Sequence, residues 1–141
     1  MSCDFGVWYP DKRLSDDEAG ARYARLCDGA VEGEVVEHPA ILAFYTELTS
    51  LHPEIDDIPE ERVGDTEYCP WSVAMDRSDG HVIMACVWSR AEYVGQLVKA
   101  LAKKHGLVLY DPQEGRVFYP TDSVVPPNSR PWWRIWVPRK R

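Results

Sequence analysis

His81 to Pro120, HVIMACVWSRAEYVGQLVKALAKKHGLVLYDPQEGRVFYP, is the stretch of the chain that decides the fold. Residues 82–88 carry no charge and predict a strand that is buried on both faces. Ser89-Arg90-Ala91-Glu92 has the spacing of a helix capping box, and apolar residues then recur at helical spacing as far as Gly106, a typical helix end. Residues 107–110 predict a second strand parallel to the first, and residues 116–119 a hairpin partner for it.

Charge is unevenly divided along the chain. The 141 residues have a net charge of −7, but residues 1–122 hold all 23 acidic residues and 11 basic ones, a net charge of −12. Residues 123–141 hold the other five basic residues and no acidic one. An acidic body of this kind attracts basic partners and repels nucleic acid and anionic lipid. No apolar run approaches the roughly 20 residues of a membrane span and no signal-peptide pattern is present, so we expect a cytoplasmic protein without membrane contact.

The four cysteines are Cys3, Cys27, Cys69 and Cys86, and none of them stands in a C-x-x-C or other metal-ligand spacing. We therefore expect free thiols, no metal site and no cofactor. Asp76-Arg77-Ser78-Asp79-Gly80 lacks the full pattern of a calcium loop and is better explained as a hairpin turn.

The remaining elements follow from turn and capping signals. Residues 3–9 predict the first strand, Ser15-Asp16-Asp17-Glu18 a capping box that opens a helix, and His38-Pro39 the start of a second helix that ends before Pro53. Residues 71–76 alternate in polarity and predict a half-buried strand ahead of the hairpin.

This order, βααββαβ plus a C-terminal strand or strap, predicts an α+β protein of the ferredoxin-like sandwich type. We expect a mixed sheet with the first strand between the strands at 82–88 and 107–110, and helices on one face. Residues 1–120 form one α+β domain in this prediction. Residues 121–141 are a Trp/Arg-rich extension that packs on the domain or extends it, and either its tryptophans or the acidic residues 53–70 cover the second face of the sheet.

Residues 53–70 form a long acidic stretch without a clear element, here called the acidic segment. It contains seven acidic residues and a single basic one, Arg62. The acidic residues are Glu54, Asp56, Asp57, Glu60, Glu61, Asp65 and Glu67. The segment is either a docking surface for a basic protein partner or a solvated, mobile loop. Its apolar residues Ile55, Ile58 and Val63 offer anchors that favour an ordered structure.

Two other places suggest function. The tail residues Trp132, Trp133, Arg134, Trp136 and Arg139 form an alternative site for nucleic acid, since aromatic rings stack on bases and arginines bind phosphate. Against this, a body of net charge −12 repels phosphate, and the tail is equally explained as a clamp on the sheet. Asp111 follows a strand, where ligands of α/β sheets collect, so a small enzyme with a site near Asp111 and Tyr9 is a further alternative beside an Asp-Pro turn.

The chain resembles a group of small, uncharacterised bacterial proteins over roughly residues 1–120. The resemblance rests on CDFGVW at residues 3–8, AFYTEL at 43–48, and WSRAE at 88–92 followed by LAKKHGLVLYDP at 101–112. As small, acidic bacterial proteins they are similar to the immunity proteins of bacterial toxin systems. The resemblance implies a non-catalytic cytoplasmic binding module that neutralises a basic toxin domain through its acidic surface, and it implies no catalytic residue.

Overall fold

The computed structural model describes residues 2–120, which form one five-stranded sheet and three α-helices. The strands are β1 (Ser2–Trp8), β2 (Asp76–Arg77), β3 (His81–Val87), β4 (Val108–Asp111) and β5 (Arg116–Phe118). The α-helices are α1 (Asp16–Cys27), α2 (Pro39–Leu51) and α3 (Ala91–Lys104). The predicted α+β class is confirmed, whereas the predicted extension at residues 121–141 lies outside the described residues.

The first strand is the centre of the sheet. The strand order is β2-β3-β1-β4-β5, with Cys3 opposite Cys86 and Gly6 opposite Tyr110. As predicted, β1 lies between β3 and β4, which run in the same direction on its two sides. Every pairing is antiparallel, so the prediction of a mixed sheet is wrong. The connection through α3 joins two parallel strands, β3 and β4, but β1 lies between them. They therefore make no direct hydrogen bonds to each other, and no parallel pair exists in the sheet.

Helices cover both faces of the sheet. Phe5 and Val7 of β1 enter the main core with α2 and α3, whereas Trp8 points to the opposite face and packs with Leu26 of α1. The prediction that all helices lie on one face is therefore wrong. A sheet that is apolar on both sides needs a layer on each, and α1 supplies the second. The acidic segment does not cover that face, because its Ile58 packs on the side of α2 and α3.

Helix ends were only partly predicted. Ser15 Oγ accepts from the Glu18 N–H at 3.1 Å and the Ser15 N–H donates to the Glu18 carboxylate at 2.9 Å, so the first capping box is confirmed. The predicted capping box at Ser89 is wrong, since a 3-10 turn, Trp88–Arg90, leads into α3 without a side-chain cap. Gly106 has a φ of +71°, the left-handed conformation expected after a helix.

Residues 71–76 form less strand than predicted. Trp71 makes an isolated bridge to Cys86, and regular pairing resumes only in β2. Val73 is exposed, and the Met75 N–H donates to the Glu54 carboxylate at 3.0 Å instead of joining a ladder. A carboxylate from the acidic segment thus replaces a strand as the partner of this backbone. The hairpin from β2 into β3 is confirmed by the Ser78 N–H to His81 C=O hydrogen bond of 3.0 Å.

Candidate functional site

The acidic segment is folded onto the domain and does not run freely through solvent. It contains two 3-10 turns, Ile55–Asp57 and Glu60–Arg62. Of the three predicted anchors, Ile55 and Ile58 pack against the main core, as Tyr68 also does, whereas Val63 is exposed and the prediction for it is wrong. The segment is therefore held in a defined position beside the end of α2, as a docking surface requires.

Two of its seven predicted binding residues are used inside the protein. Glu54 accepts hydrogen bonds from the Tyr45 hydroxyl at 2.8 Å and from the Met75 N–H at 3.0 Å. Asp65 accepts from the Arg62 guanidinium at 2.9 Å and from the Tyr68 N–H at 3.2 Å. The hydrogen bond from Arg62, followed by that from Tyr68, lowers the pKa of Asp65. These two carboxylates hold the shape of the segment.

The other five carboxylates face solvent. They are Asp56, Asp57, Glu60, Glu61 and Glu67. Within residues 2–120 none of the five side chains has a hydrogen-bond or ion-pair partner. Arg62, the one basic residue of the segment, is occupied by Asp65 and by the Tyr68 ring, 3.8 Å from its guanidinium carbon. The five carboxylates are consequently free to attract a cationic surface.

A buried histidine joins the acidic segment to α3. His52 Nδ1 lies 3.0 Å from the Tyr68 carbonyl, so this nitrogen donates, and Nε2 accepts from the Tyr93 hydroxyl at 2.8 Å. The His52 carbonyl in turn accepts from the Trp71 indole N–H at 3.0 Å. Arg90 stacks on the outer ring, with its guanidinium carbon 4.3 Å from the centre of Tyr93. We call His52, Tyr68, Trp71 and Tyr93 the His52 cluster.

Four large apolar side chains are exposed in the chain segments that contribute to the His52 cluster. Leu51 precedes His52 at the end of α2 and is 51% exposed, and Tyr93 of the cluster itself is 42% exposed. Trp88, in the turn before α3, is 55% exposed, and Val63, next to Arg62, is 69% exposed. Sequence reasoning missed the place of Tyr93, because its hydrogen bond joins it to His52, 41 positions earlier in the chain.

We predict that the seven carboxylates fall into two classes on mutation. Glu54→Ala leaves a hydroxyl and a backbone N–H without their acceptor and is expected to lower the free energy of unfolding by about 2 kcal/mol. Glu60→Ala is the matched control, with an expected change below about 0.5 kcal/mol because its side chain is exposed and unpaired within the described chain. Urea denaturation of both variants measures the difference. Equal midpoints would contradict the division.

Asp111 does not form a site with Tyr9. The register places Asp111 beside Phe5, so Tyr9 lies four residues further along β1, about 13 Å away. One oxygen of Asp111 accepts from the Gln113 N–H at 2.9 Å and from the Gln113 amide at 2.6 Å. Tyr9 instead stacks on His38, with 3.9 Å between ring centres. The structure thus gives Asp111 a turn role.

The β2–β3 hairpin brings a serine, a histidine and an aspartate together beside a pocket of about 270 Å³ that Ser78 helps to line. Ser78 Oγ lies 2.6 Å from His81 Nδ1 and also accepts from the Gly80 N–H at 3.1 Å. Asp76 is 3.8 Å from His81 Nε2, beyond hydrogen-bond distance. Burial lowers the pKa of His81, against the opposing charge of Asp76, which makes the ring a weak base. These contacts stabilise the turn.

The cysteines are free in the structure, and Cys86 enters the main core from one face of β3 while His81 is five positions away on the other. Burial raises the pKa of Cys86 to about 12, which disfavours the thiolate that a nucleophile needs. Among residues 2–120 there is no group of three His, Cys, Asp or Glu side chains placed to hold a metal ion. Within the same residues, no helix has the length and apolar character needed to cross a membrane.

The alternative nucleic-acid site falls on the tail. Its predicted residues, Trp132, Trp133, Arg134, Trp136 and Arg139, lie outside the described part of the chain. Within residues 2–120 the candidate site is thus the acidic segment together with the exposed apolar side chains of the chain segments that contribute to the His52 cluster. Comparisons of the chain with protein-family models, curated proteins and solved structures gave no match.

Proposed function

We propose that the protein is a non-catalytic cytoplasmic binding module that recognises a basic protein partner. In its most concrete form it is an immunity-type protein that neutralises a basic toxin domain. The observation that carries the proposal is the set of five exposed, unpaired carboxylates, Asp56 to Glu67, on a segment anchored to the core. The bacterial resemblance seen in the sequence points the same way.

Electrostatics gives the acidic segment a specific task in binding. With seven acidic residues and one arginine, the segment has a net charge of −6. Exposed charges of one sign steer an oppositely charged partner and accelerate association, while contributing less to the lifetime of the complex. Salt screens charges separated by more than about 8–10 Å at ordinary ionic strength. The proposal therefore implies an association rate constant that falls steeply as salt is added.

We also propose that the domain is an elaborated ferredoxin-like sandwich. The central position of β1, between two strands joined through α3, supports this assignment, as does the packing of α2 and α3 on one face. The additional α1 layer and the edge strand β5 are departures from the simple arrangement. Such folds host many unrelated functions, so the assignment adds nothing to the functional proposal.

The proposed function predicts a charge-reversal effect at one place on the surface. The full-length chain, tagged and cross-linked in the cells that express it, serves to isolate a partner, whose surface charge is then determined. With the purified partner, Glu60→Lys with Glu61→Lys is expected to lower the association rate constant about tenfold at low salt. The matched control is Glu32→Lys with Glu114→Lys, which changes the net charge equally at two exposed carboxylates outside the acidic segment.

The control variant is expected to lower the rate less than about twofold, because its two charges lie outside the proposed contact and the Coulomb energy of two charges falls with the distance between them. Stopped-flow or surface-based kinetics at several salt concentrations measures both variants. The proposal fails if no protein is captured, if the captured partner is acidic, or if the two double variants behave alike.

A further inference from the structure

We infer that the exposed apolar side chains Leu51, Trp88 and Tyr93 form the centre of the binding interface, here called the aromatic surface. The basic partner presents to it an apolar side chain set among arginine or lysine residues. This inference rests on the proposed function and adds what that function leaves open, namely which part of the surface holds the partner after charges have brought it near.

The position of the three residues is the first support. Leu51 is the chain neighbour of His52, and Tyr93 donates its hydroxyl proton to the ring of His52. Trp88 follows Val87, whose N–H donates at 2.8 Å to the carbonyl of Pro70, the last residue of the acidic segment. The backbone that carries Trp88 is therefore hydrogen-bonded to the end of the acidic segment, and the neighbours of Leu51 and Tyr93 are bonded to the same segment through His52.

The state of the Trp88 ring is the second support. Tyr93 and Trp88 are the two exposed aromatic side chains among residues 2–120. Tyr93 is stacked under Arg90, whereas Trp88 contacts no other ring and no cation in that part of the chain. Isolated exposed apolar residues are ordinary, but tryptophan, tyrosine and arginine are the residue types in which the energetic centres of interfaces are enriched.

Rigidity is the third support. Both nitrogens of the His52 ring make hydrogen bonds, and the Trp71 indole N–H donates to the His52 carbonyl. The His52 ring is therefore held in place, and it holds the Tyr93 hydroxyl in turn. A fixed side chain loses little conformational freedom when a partner binds it. Apolar centres surrounded by a polar rim are the usual anatomy of protein interfaces, and here the five free carboxylates supply the rim.

Two labelled synthetic peptides test the inference with the full-length protein. Both carry the same number of arginines, and they differ only in a central residue, leucine in one and serine in the other. By fluorescence anisotropy the intact protein is expected to bind the leucine peptide about fivefold more tightly, as partial burial of one leucine side chain gives. Trp88→Ser is expected to abolish this preference and leave the affinity for the serine peptide unchanged.

Two further variants serve as a second test position and as a control. Leu51→Ser, at a second exposed position of the aromatic surface, is expected to reduce the preference as well, so the result does not depend on one variant. Leu42→Ser is the matched control, since Leu42 is 58% exposed but lies near the start of α2, beside the pocket at His38. Equal affinities of the intact protein for the two peptides, or a preference that survives in Trp88→Ser and Leu51→Ser, would overturn the inference.

The same peptides separate this inference from the proposed function. If Glu60→Lys with Glu61→Lys weakens both peptides more than Glu32→Lys with Glu114→Lys does, the acidic segment acts as proposed. If the intact protein then binds the leucine and serine peptides equally, only the inference about the aromatic surface is overturned. If the two double variants bind alike, the acidic segment has no special role and the proposed function fails.

Discussion

The Trp8→Ala variant is expected to unfold with a free energy about 3–5 kcal/mol below that of the intact protein. Trp8 is 1% exposed and fills the space between the sheet and α1, in a cluster with Leu26 and Val108. Its ring lies 6.4 Å from the ring of Tyr110 and beneath the guanidinium of Arg22. Truncation removes these contacts and leaves a cavity that α1 can only partly close.

Urea or thermal denaturation measures the effect of Trp8→Ala, and the chain offers a matched control. Trp88→Ala removes the same atoms from a side chain that is 55% exposed, so its expected loss is below about 1 kcal/mol. A Trp8→Ala variant as stable as the Trp88→Ala variant would show that α1 does not cover this face of the sheet.

The second large effect is expected at a buried ion pair on the same face. Arg22 of α1 is 4% exposed and donates to the Asp11 carboxylate at 2.9 Å. Asp11→Ala leaves a buried guanidinium without its counter-charge, and removal of one partner from such a pair costs about 3–5 kcal/mol. We expect a loss near the lower end, about 3 kcal/mol, because the Asp11 side chain is partly exposed.

The pH dependence of the same variant gives an independent check. Burial raises the pKa of Asp11, but the hydrogen bond and charge of Arg22 outweigh it, and the pKa is lowered overall. A carboxyl with a lowered pKa in the folded state stabilises the protein above its unfolded pKa, about 3.9, and loses this contribution as the pH falls through the folded value. The stability gap between intact protein and Asp11→Ala should be constant from pH 5 to 8 and narrow below about pH 4.

A double variant separates the charge from the packing. Asp11→Ala with Arg22→Met removes both charges and keeps an unbranched apolar side chain under α1, so it is expected to recover most of the lost stability. Circular dichroism at several pH values follows all three proteins. A gap as large at pH 2.5 as at pH 7, or a double variant no more stable than Asp11→Ala, would contradict this account of the pair.

Where local signals are complete, the fold was predictable from the sequence. The run from β3 through α3 to β5 was predictable because apolar periodicity, the turn after Asp111 and the left-handed Gly106 all agree. The cap at Ser89 was not, because the short turn at Trp88–Arg90 is preferred locally over the cap that the residue spacing allows. Residues 71–76 show the same limit, since the side chain of Glu54 takes the place of a strand partner.

The placement of α1 was the main error, and one residue carried a signal for it. Helical periodicity tells which side of a helix is buried, but not which face of a sheet it covers. Gly6 stands in the middle of β1, and a Cβ atom there would lie 2.8 Å from Cδ1 of Tyr23. A glycine inside a strand often marks such a close approach. Interpreted in this way, Gly6 predicts that a helix packs closely on the face of the sheet to which Gly6 belongs.

The candidate site was predictable only in its charge. The excess of carboxylates in the acidic segment is visible in the sequence, but their division into structural and free groups depends on the partners of Glu54 and Asp65. The aromatic surface had no sequence signal, because His52 and Tyr93 belong to different helical segments and meet only in the folded chain. Contacts of this range are set by the packing of α2 against α3.

The central position of β1 has a consequence for when the sheet can form during synthesis of the chain. β1 is the first strand synthesised, yet its two neighbours arrive late, since Ser2 pairs with Val87 and Gly6 with Tyr110. At roughly 5–20 residues per second, an apolar strand waits on the order of 5–20 s at the ribosome before its second neighbour exists. Vectorial synthesis therefore delays closure of the sheet until nearly the whole domain has emerged.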